Sequence, residues 1–290
     1  MLRFVFTKLA AFLATALVTC AIVFACLSTT AGTQPAGGLA GWTGRLLTGD
    51  FGSTTQGDPI GGRIAASLAV TLPLALLALV LATGIGLAAG YLGWRRRDRL
   101  GDRVLVAVAE ILGAVPSFWL GMMLVLAFAL ALHWLPAAGF LPWQDNPVGA
   151  FASLILPALA LALPTAGALA VATRDALVAT ADSAPIVAAR ARGLTEDEAM
   201  RRHGLLTAGL AIGPDIASHL AVLVAGTVIV ESVFYLPGLG RLLIDAVMAR
   251  DVWLVGGALV VLVVLVATTT FVIELGLAWL DPRLRRRAAA

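Results

Sequence analysis

Lysine is all but missing from this chain of 290 residues: Lys8 is the only one, and Thr7 precedes it. A nucleotide-cradling loop needs a Gly-rich turn ending in Gly-Lys-Ser/Thr, so the chain has no means of binding ATP in that way. Cysteine is equally scarce. Cys20 and Cys26 share one apolar run, offer no zinc-binding set, and read as small apolar residues. His133, His203 and His219 share no ligand spacing, and His-Glu-x-x-His, Gly-x-Ser-x-Gly and Cys-x-x-Cys do not occur. These absences leave no nucleophile and no metal site. They argue against an enzyme, leaving a membrane-embedded hydrolase as a distant third reading, and predict no cofactor bound by the chain itself.

Charge is scarce too, at 13% of residues against about 25% in soluble proteins. With 60% hydrophobic residues and a mean hydropathy of +0.96, the chain reads as an all-α integral membrane protein. Apolar stretches run from Leu9 to Leu27, Ala65 to Leu92, Val104 to Leu132, Phe151 to Val171, Ile216 to Phe234 and Val252 to Leu280. Each is long enough to span a bilayer, which takes about 20 apolar residues, so six transmembrane helices are predicted. The first run exceeds the roughly 7 to 15 residues of a signal-peptide core and is expected to stay as a helix. The predicted layout is a first helix and outer loop over 1–64, a five-helix core over 65–280, and a tail over 281–290. Within the outer loop, one short amphipathic piece is expected from Trp42 to Leu47.

Basic residues orient the chain, because short cytoplasmic loops carry an excess of Lys and Arg. With the N-terminus inside, sixteen of the 20 Lys and Arg residues fall on the cytoplasmic side. Both termini are therefore expected in the cytoplasm. The net charge of +3 then reflects topology and points to no nucleic acid. The arginines of the hairpin from Trp94 to Arg103, like those after Asp281, read as anchors against anionic membrane lipid.

The most informative segment lies between two of these spans, from Asp182 to Leu206. It reads as two short helices lying on the membrane face and hinged at Gly193. Ser183 is a candidate cap with Pro185 in the first turn, Gly193 supplies the left-handed residue that ends the first helix, and Thr195 with Glu198 forms a capping box. Such helices can rest on lipid through Ile186, Val187, Leu194 and Met200. Glu196, Asp197 and Glu198 would be repelled by an anionic leaflet, however, and small Ala188, Ala189 and Ala191 suit close packing in a protein groove.

The run Ala188-Ala-Arg-Ala-Arg-Gly193, followed by Arg202-His203, resembles the EAA loop of binding-protein-dependent ABC importer permeases of the dipeptide, oligopeptide and nickel group. Further pieces are similar in the same order. They are Gly49-Asp-Phe-Gly52, Pro59, Leu72-Pro73, Pro116-Ser-Phe-Trp-Leu-Gly121 and Trp134-Leu-Pro-Ala-Ala-Gly139, then Glu231-Ser-Val-Phe-Tyr-Leu-Pro-Gly-Leu-Gly240, Arg250-Asp251 and Asp281-Pro-Arg283. The glutamate that names the loop is Val187 here, and the proline expected before the fifth helix is displaced to Pro214.

The resemblance implies a type I importer permease with a MetI-like core in a bacterial inner membrane. It implies a second homologous permease, two ATP-binding subunits and an extracytoplasmic solute-binding protein as partners, with ATP and magnesium on the ATPases. It assigns ATPase coupling to Ala188, Ala189, Arg190, Arg192, Gly193 and Leu194, and makes di- or oligopeptides the expected solute. Glu231, Phe234, Pro237, Gly238 and Gly240 are expected at an outer gate, where the fifth helix must break and backbone can line a water-filled opening. Pro116 is expected to kink the third span, because it withholds an N–H from the helix ladder. The competing reading is an ion-coupled secondary carrier that uses the intramembrane carboxylates Glu110, Glu231 or Glu274.

Overall fold

The computed structural model describes residues 2–30, 38–54 and 57–280. The signature Asp281-Pro-Arg283 and the tail lie outside them. Among the described residues the chain is helical throughout. Five helices there are long and apolar enough to cross a membrane, and a sharply bent pair makes a sixth span if its two halves are counted together.

Helix α1 (Leu2–Thr30) is followed by the short helix α2 (Gly38–Leu47), which is longer than the piece expected from Trp42. Helix α3 (Ile60–Arg95) has 36 residues, about 54 Å at 1.5 Å per residue, so it stands well clear of a hydrocarbon layer about 30 Å thick. A turn through Asp98, in the left-handed region that aspartate tolerates, reverses the chain into α4 (Leu100–Ala114). Helix α5 (Ser117–Leu124) follows and runs on through a π turn, Val125–Ala131.

The third span shows more than the kink expected of it. At Pro116 the axis turns by 105°, and Val115 and Pro116 are both extended. The residue before a proline is pushed out of the helical region, so the ladder ends at Ala114 and restarts beyond the proline.

Helix α6 (Pro147–Ala181) is the centre of the bundle and packs on α3, α4, α5 and α9. Its most extensive partner is α3, and small side chains are the reason. Ala158, Ala162, Ala166 and Ala170 repeat every four residues along α6, each at most 2% exposed. They meet a matching row on α3 that includes Ala78, Ala82, Gly86 and Gly90. A Cβ on Gly86 would stand 2.7 Å from the Cβ of Leu169, and one on Gly90 would stand 2.5 Å from the Cβ of Thr173. Lipid tails are as apolar as leucine, so membrane helices associate through close van der Waals contact, which rows of small residues permit.

The elbow segment contains α7 (Ala184–Ala191) and α8 (Glu196–Ala199), and α8 passes through a π turn, Met200–Gly204, into α9 (Leu205–Val233). This corrects the expected pair of separate surface helices. The second of them is the first turn of one continuous helix, Glu196–Val233, and Pro214 lies inside that helix rather than before it. Helix α10 (Leu239–Met248) turns the chain at the opposite end of α9 into α11 (Val252–Leu280). Helix α1 packs along α11, with Lys8 Nζ 2.6 Å from Glu274 Oε1 and the rings of Phe12 and Phe271 5.7 Å apart.

Candidate functional site

The elbow is built by local backbone chemistry. Ser183 stands at the cap position of α7, but its carbonyl rather than its hydroxyl accepts from the N–H groups of Ile186 and Val187. At the other end, Gly193 has φ +93°. Its N–H donates to the Arg190 carbonyl at 2.9 Å, and the Leu194 N–H donates to the Ala189 carbonyl at 3.3 Å. This pair of bonds is a Schellman ending, which needs a left-handed residue at the position Gly193 fills. The capping box follows at once: the Thr195 N–H donates to Glu198 Oε2 at 3.0 Å and the Glu198 N–H to Thr195 Oγ1 at 3.3 Å.

Packing then decides which residues the elbow presents. Ile186, Ala189, Ala199 and Met200 are fully buried within the chain, so Ile186 and Met200 have no contact to offer lipid. Leu194 is half-buried against that cluster. From Ala184 to Gly193, what remains on the outside is Ala184, Pro185, Val187, Ala188, Arg190, Ala191, Arg192 and Gly193. They form a shallow apolar strip flanked by two guanidinium groups. Of the expected coupling residues, Ala188, Arg190, Arg192 and Gly193 therefore face outward, whereas Ala189 and Leu194 hold the elbow to its own base.

The acidic residues of the elbow face its base too. Glu196 Oε1 accepts from Arg97 at 2.5 Å; Asp197 accepts from the Tyr91 hydroxyl at 2.6 Å and pairs with Arg201 at 3.0 Å and Arg95 at 3.4 Å. Arg95 and Arg97 thus do more than anchor the α3–α4 turn at the lipid surface, because they tie that turn to the elbow. Next to them Arg174 of α6 makes a bidentate pair with Asp102 of α4, at 2.7 Å and 2.6 Å. The Asp102 side chain is only 4% exposed. Exposed pairs are worth about 0–1 kcal/mol, but breaking a buried pair from one side costs about 3–5 kcal/mol, so Arg174–Asp102 is the stronger half of this clamp.

The corner between α9 and α10 is joined by one buried carboxylate. Glu231, fully buried, sits two residues before the end of α9. Its Oε1 accepts from the Thr71 hydroxyl at 2.7 Å, and its Oε2 accepts from the N–H groups of Gly240 at 2.7 Å and Arg241 at 3.2 Å. Thr71 Oγ1 in turn accepts from the Leu239 N–H at 2.8 Å. The first three N–H groups of α10, which no helix can satisfy internally, thus all find side-chain oxygens from other helices. A carboxylate there is also favoured by the helix dipole.

The motif around the corner now has reasons. Gly238 is extended, not left-handed, and is a glycine because a Cβ would overlap the Glu231 carboxylate. A Cβ on Gly240 would strike the backbone of Val228. Tyr235, at φ +54°, ends α9, and the Phe234 ring packs against Gly121 of α5. Pro237 is exposed. The Glu231 side chain itself is fully buried and fastens α3, α9 and α10 from inside.

The other two membrane carboxylates lie apart from it. Glu274 pairs with Lys8, and Glu110 is exposed on α4, with no hydrogen bond or ion pair among the described residues. The three carboxylates share no site within this chain.

Several contacts here escaped sequence reasoning. Thr71 stood directly before the noted Leu72-Pro73 but carried no signal of its own. Pro73 lacks an N–H and so frees the carbonyl four residues back, that of Ala69, which accepts from Trp143 Nε1 at 3.0 Å. The α3–α6 contact did have a signal, the Gly-x-x-x-Gly of Gly86 and Gly90.

A bundle of long membrane helices with a charged elbow at one end has the build of a membrane transport subunit. The model of the family described as binding-protein-dependent transport system inner membrane component matches residues 82–286, and the chain belongs to that family. It is 35% identical over 248 residues to a putative peptide transport system permease protein of Brucella abortus (strain 2308), covering 85% of this chain and 79% of that one. It is 31% identical over 247 residues to the oligopeptide transport system permease protein AppB of Bacillus subtilis (strain 168), covering 84% and 78%. The fold is similar to a chain of the inward-facing MetNI methionine ABC transporter, with a TM-score of 0.63 at 19% identity over 76% of this chain and 96% of that one. The chain is thus a multi-pass transport permease of the bacterial inner membrane, not an ATPase.

Proposed function

We propose that this permease imports di- or oligopeptides, forming the pathway with a second homologous permease. Two ATP-binding subunits dock on the elbow, and an extracytoplasmic binding protein delivers solute to the opposite face. The termini and the elbow lie in the cytoplasm, in keeping with the side on which most arginines fall. The observation that carries this reading is the elbow itself: Val187, Ala188 and Ala191 form an exposed strip on a helix whose other face is locked by Ile186, Ala189 and the Arg97–Glu196 pair. A rigid lever with a small-residue outer face can enter a protein groove and transmit a push to α9, with which α8 is continuous, and through the clamp to α3 and α4. Peptide as solute is supported by relatives named as peptide and oligopeptide permeases, and by a glutathione transport system permease protein, GsiC of Escherichia coli (strain K12), 35% identical over 206 residues.

The test is uptake of a labelled dipeptide into proteoliposomes that hold all subunits and the binding protein. Uptake is expected to require ATP and the binding protein. Uptake driven by a proton gradient without ATP would overturn the reading in favour of an ion-coupled carrier.

A further inference from the structure

The α3–α4 turn carries an arginine that the clamp leaves over. Arg95 and Arg97 are bound to the elbow and Arg174 to Asp102, whereas exposed Arg96 has no acidic partner among the described residues. It stands at the end of a groove of about 290 Å³ between α3 and α4, walled by Ile85, Val108 and Leu112 and floored by Gly167 and its neighbours on α6. Arg96 is the one polar side chain among the residues that line it. Along α4 the groove runs from Gly101 to Leu112, about 16 Å at 1.5 Å per residue. That is half of a hydrocarbon layer about 30 Å thick, the depth of a single leaflet.

We infer that this groove is a binding site for an anionic glycerophospholipid of the leaflet on the side of the turn, with one acyl chain along the groove and the phosphate on Arg96. The walls offer hydrogen bonds to nothing, so the occupant of the groove proper is hydrocarbon. At the mouth a guanidinium matches a phosphate in geometry and charge. Net charge selects the lipid class: with Arg95 and Arg97 paired to the elbow and Asp102 to Arg174, the turn keeps Arg96, Arg99 and Arg103 against Asp98. The excess attracts a headgroup with net negative charge over a zwitterionic one. This site concerns the membrane and is independent of which solute the permease carries.

The test is native mass spectrometry of the permease assembled with its partner subunits, delipidated and titrated with phosphatidylglycerol or phosphatidylcholine. Parent, Arg96→Gln, Arg99→Gln and Ala89→Phe are compared. Arg99 has the same charge in the same turn but does not line the groove, and a phenyl ring at half-buried Ala89 fills it. Phosphatidylglycerol is expected to bind more tightly than phosphatidylcholine, about fivefold more weakly to Arg96→Gln, and with parental affinity to Arg99→Gln. Ala89→Phe is expected to lose it. Equal weakening by both arginine variants would leave only diffuse surface charge, equal retention of both lipids only apolar filling, and each result overturns the site. Both arginines are exposed, so that pair of variants decides the matter even if Ala89→Phe fails to assemble.

Discussion

Thr71 and Glu231, 160 residues apart in sequence, share a buried hydrogen bond of 2.7 Å, and between them they satisfy the first three N–H groups of α10. The α9–α10 corner is therefore held by a side-chain cap supplied from two other helices.

Removing that cap has a graded consequence. Glu231→Ala leaves buried N–H groups without an acceptor, and hydrogen bonds to a charged group contribute about 1.5–3 kcal/mol each. Glu231→Gln keeps one acceptor oxygen in the same volume, puts an amide donor in place of the other and loses the charge. Thermal unfolding of the purified permease in detergent is expected to rank parent above Glu231→Gln and Glu231→Ala lowest. A Glu231→Ala midpoint equal to the parent's would show that the corner needs no cap.

The clamp at the elbow divides in the same way. Asp102→Ala leaves Arg174 only its pair with exposed Asp175 at 3.0 Å, removes two charge-assisted hydrogen bonds and is expected to destabilise the chain by about 2–3 kcal/mol. Arg97→Gln removes a partly exposed pair with Glu196 and is expected to lower stability by less than about 1 kcal/mol. Its effect belongs instead to transport, since it loosens the elbow from α3. Measuring unfolding midpoints and ATP-driven uptake for both variants separates the two roles.

Glycines of one helix are predicted to respond with opposite sign. A Cβ at Gly84 meets nothing within 4 Å, so Gly84→Ala is expected to stabilise by up to about 1 kcal/mol through helix propensity. At Gly90 the same methyl would stand 2.5 Å from Thr173 Cβ and 2.6 Å from the Ala170 carbonyl. Forcing α3 and α6 apart is expected to cost about 1–3 kcal/mol. Unfolding midpoints that move in the same direction for both variants would contradict the close α3–α6 contact.

Much of this architecture could be read from the residues, for reasons that are local. Apolar runs located the spans because a bilayer demands length, and Gly193 with Thr195 and Glu198 located the elbow because a left-handed ending and a capping box are short-range chemistry. The rest depended on distant partners. Nothing near Glu231 announces Thr71, and nothing near Glu196 announces Arg97. The continuity of α8 with α9 was hidden for another reason: Arg201, Arg202 and His203 interrupt the hydropathy, yet their exposed side chains leave the helix unbroken on its buried side, where Met200, Gly204 and Ala208 pack. Pro116 showed that the third span must bend, but the 105° turn follows from the packing of α5 against α6 and α9.

Gly193 offers the sharpest test of the elbow as a lever. A Cβ there meets nothing within 4 Å, so any effect of substitution comes from the backbone, held at φ +93°, and not from crowding. Asparagine tolerates left-handed conformations, whereas a β-branched residue is strongly disfavoured in them. Strain of about 1–2 kcal/mol in Gly193→Val shifts the population of correctly angled elbows by roughly tenfold. The membrane helices are untouched, so insertion and assembly are expected to be normal. In proteoliposomes with all subunits, ATP-driven uptake is expected to fall about as far as that population does in Gly193→Val, and to stay near the parental rate in Gly193→Asn. Equal uptake by the two variants would show that the angle set at Gly193 does not transmit the ATPase stroke.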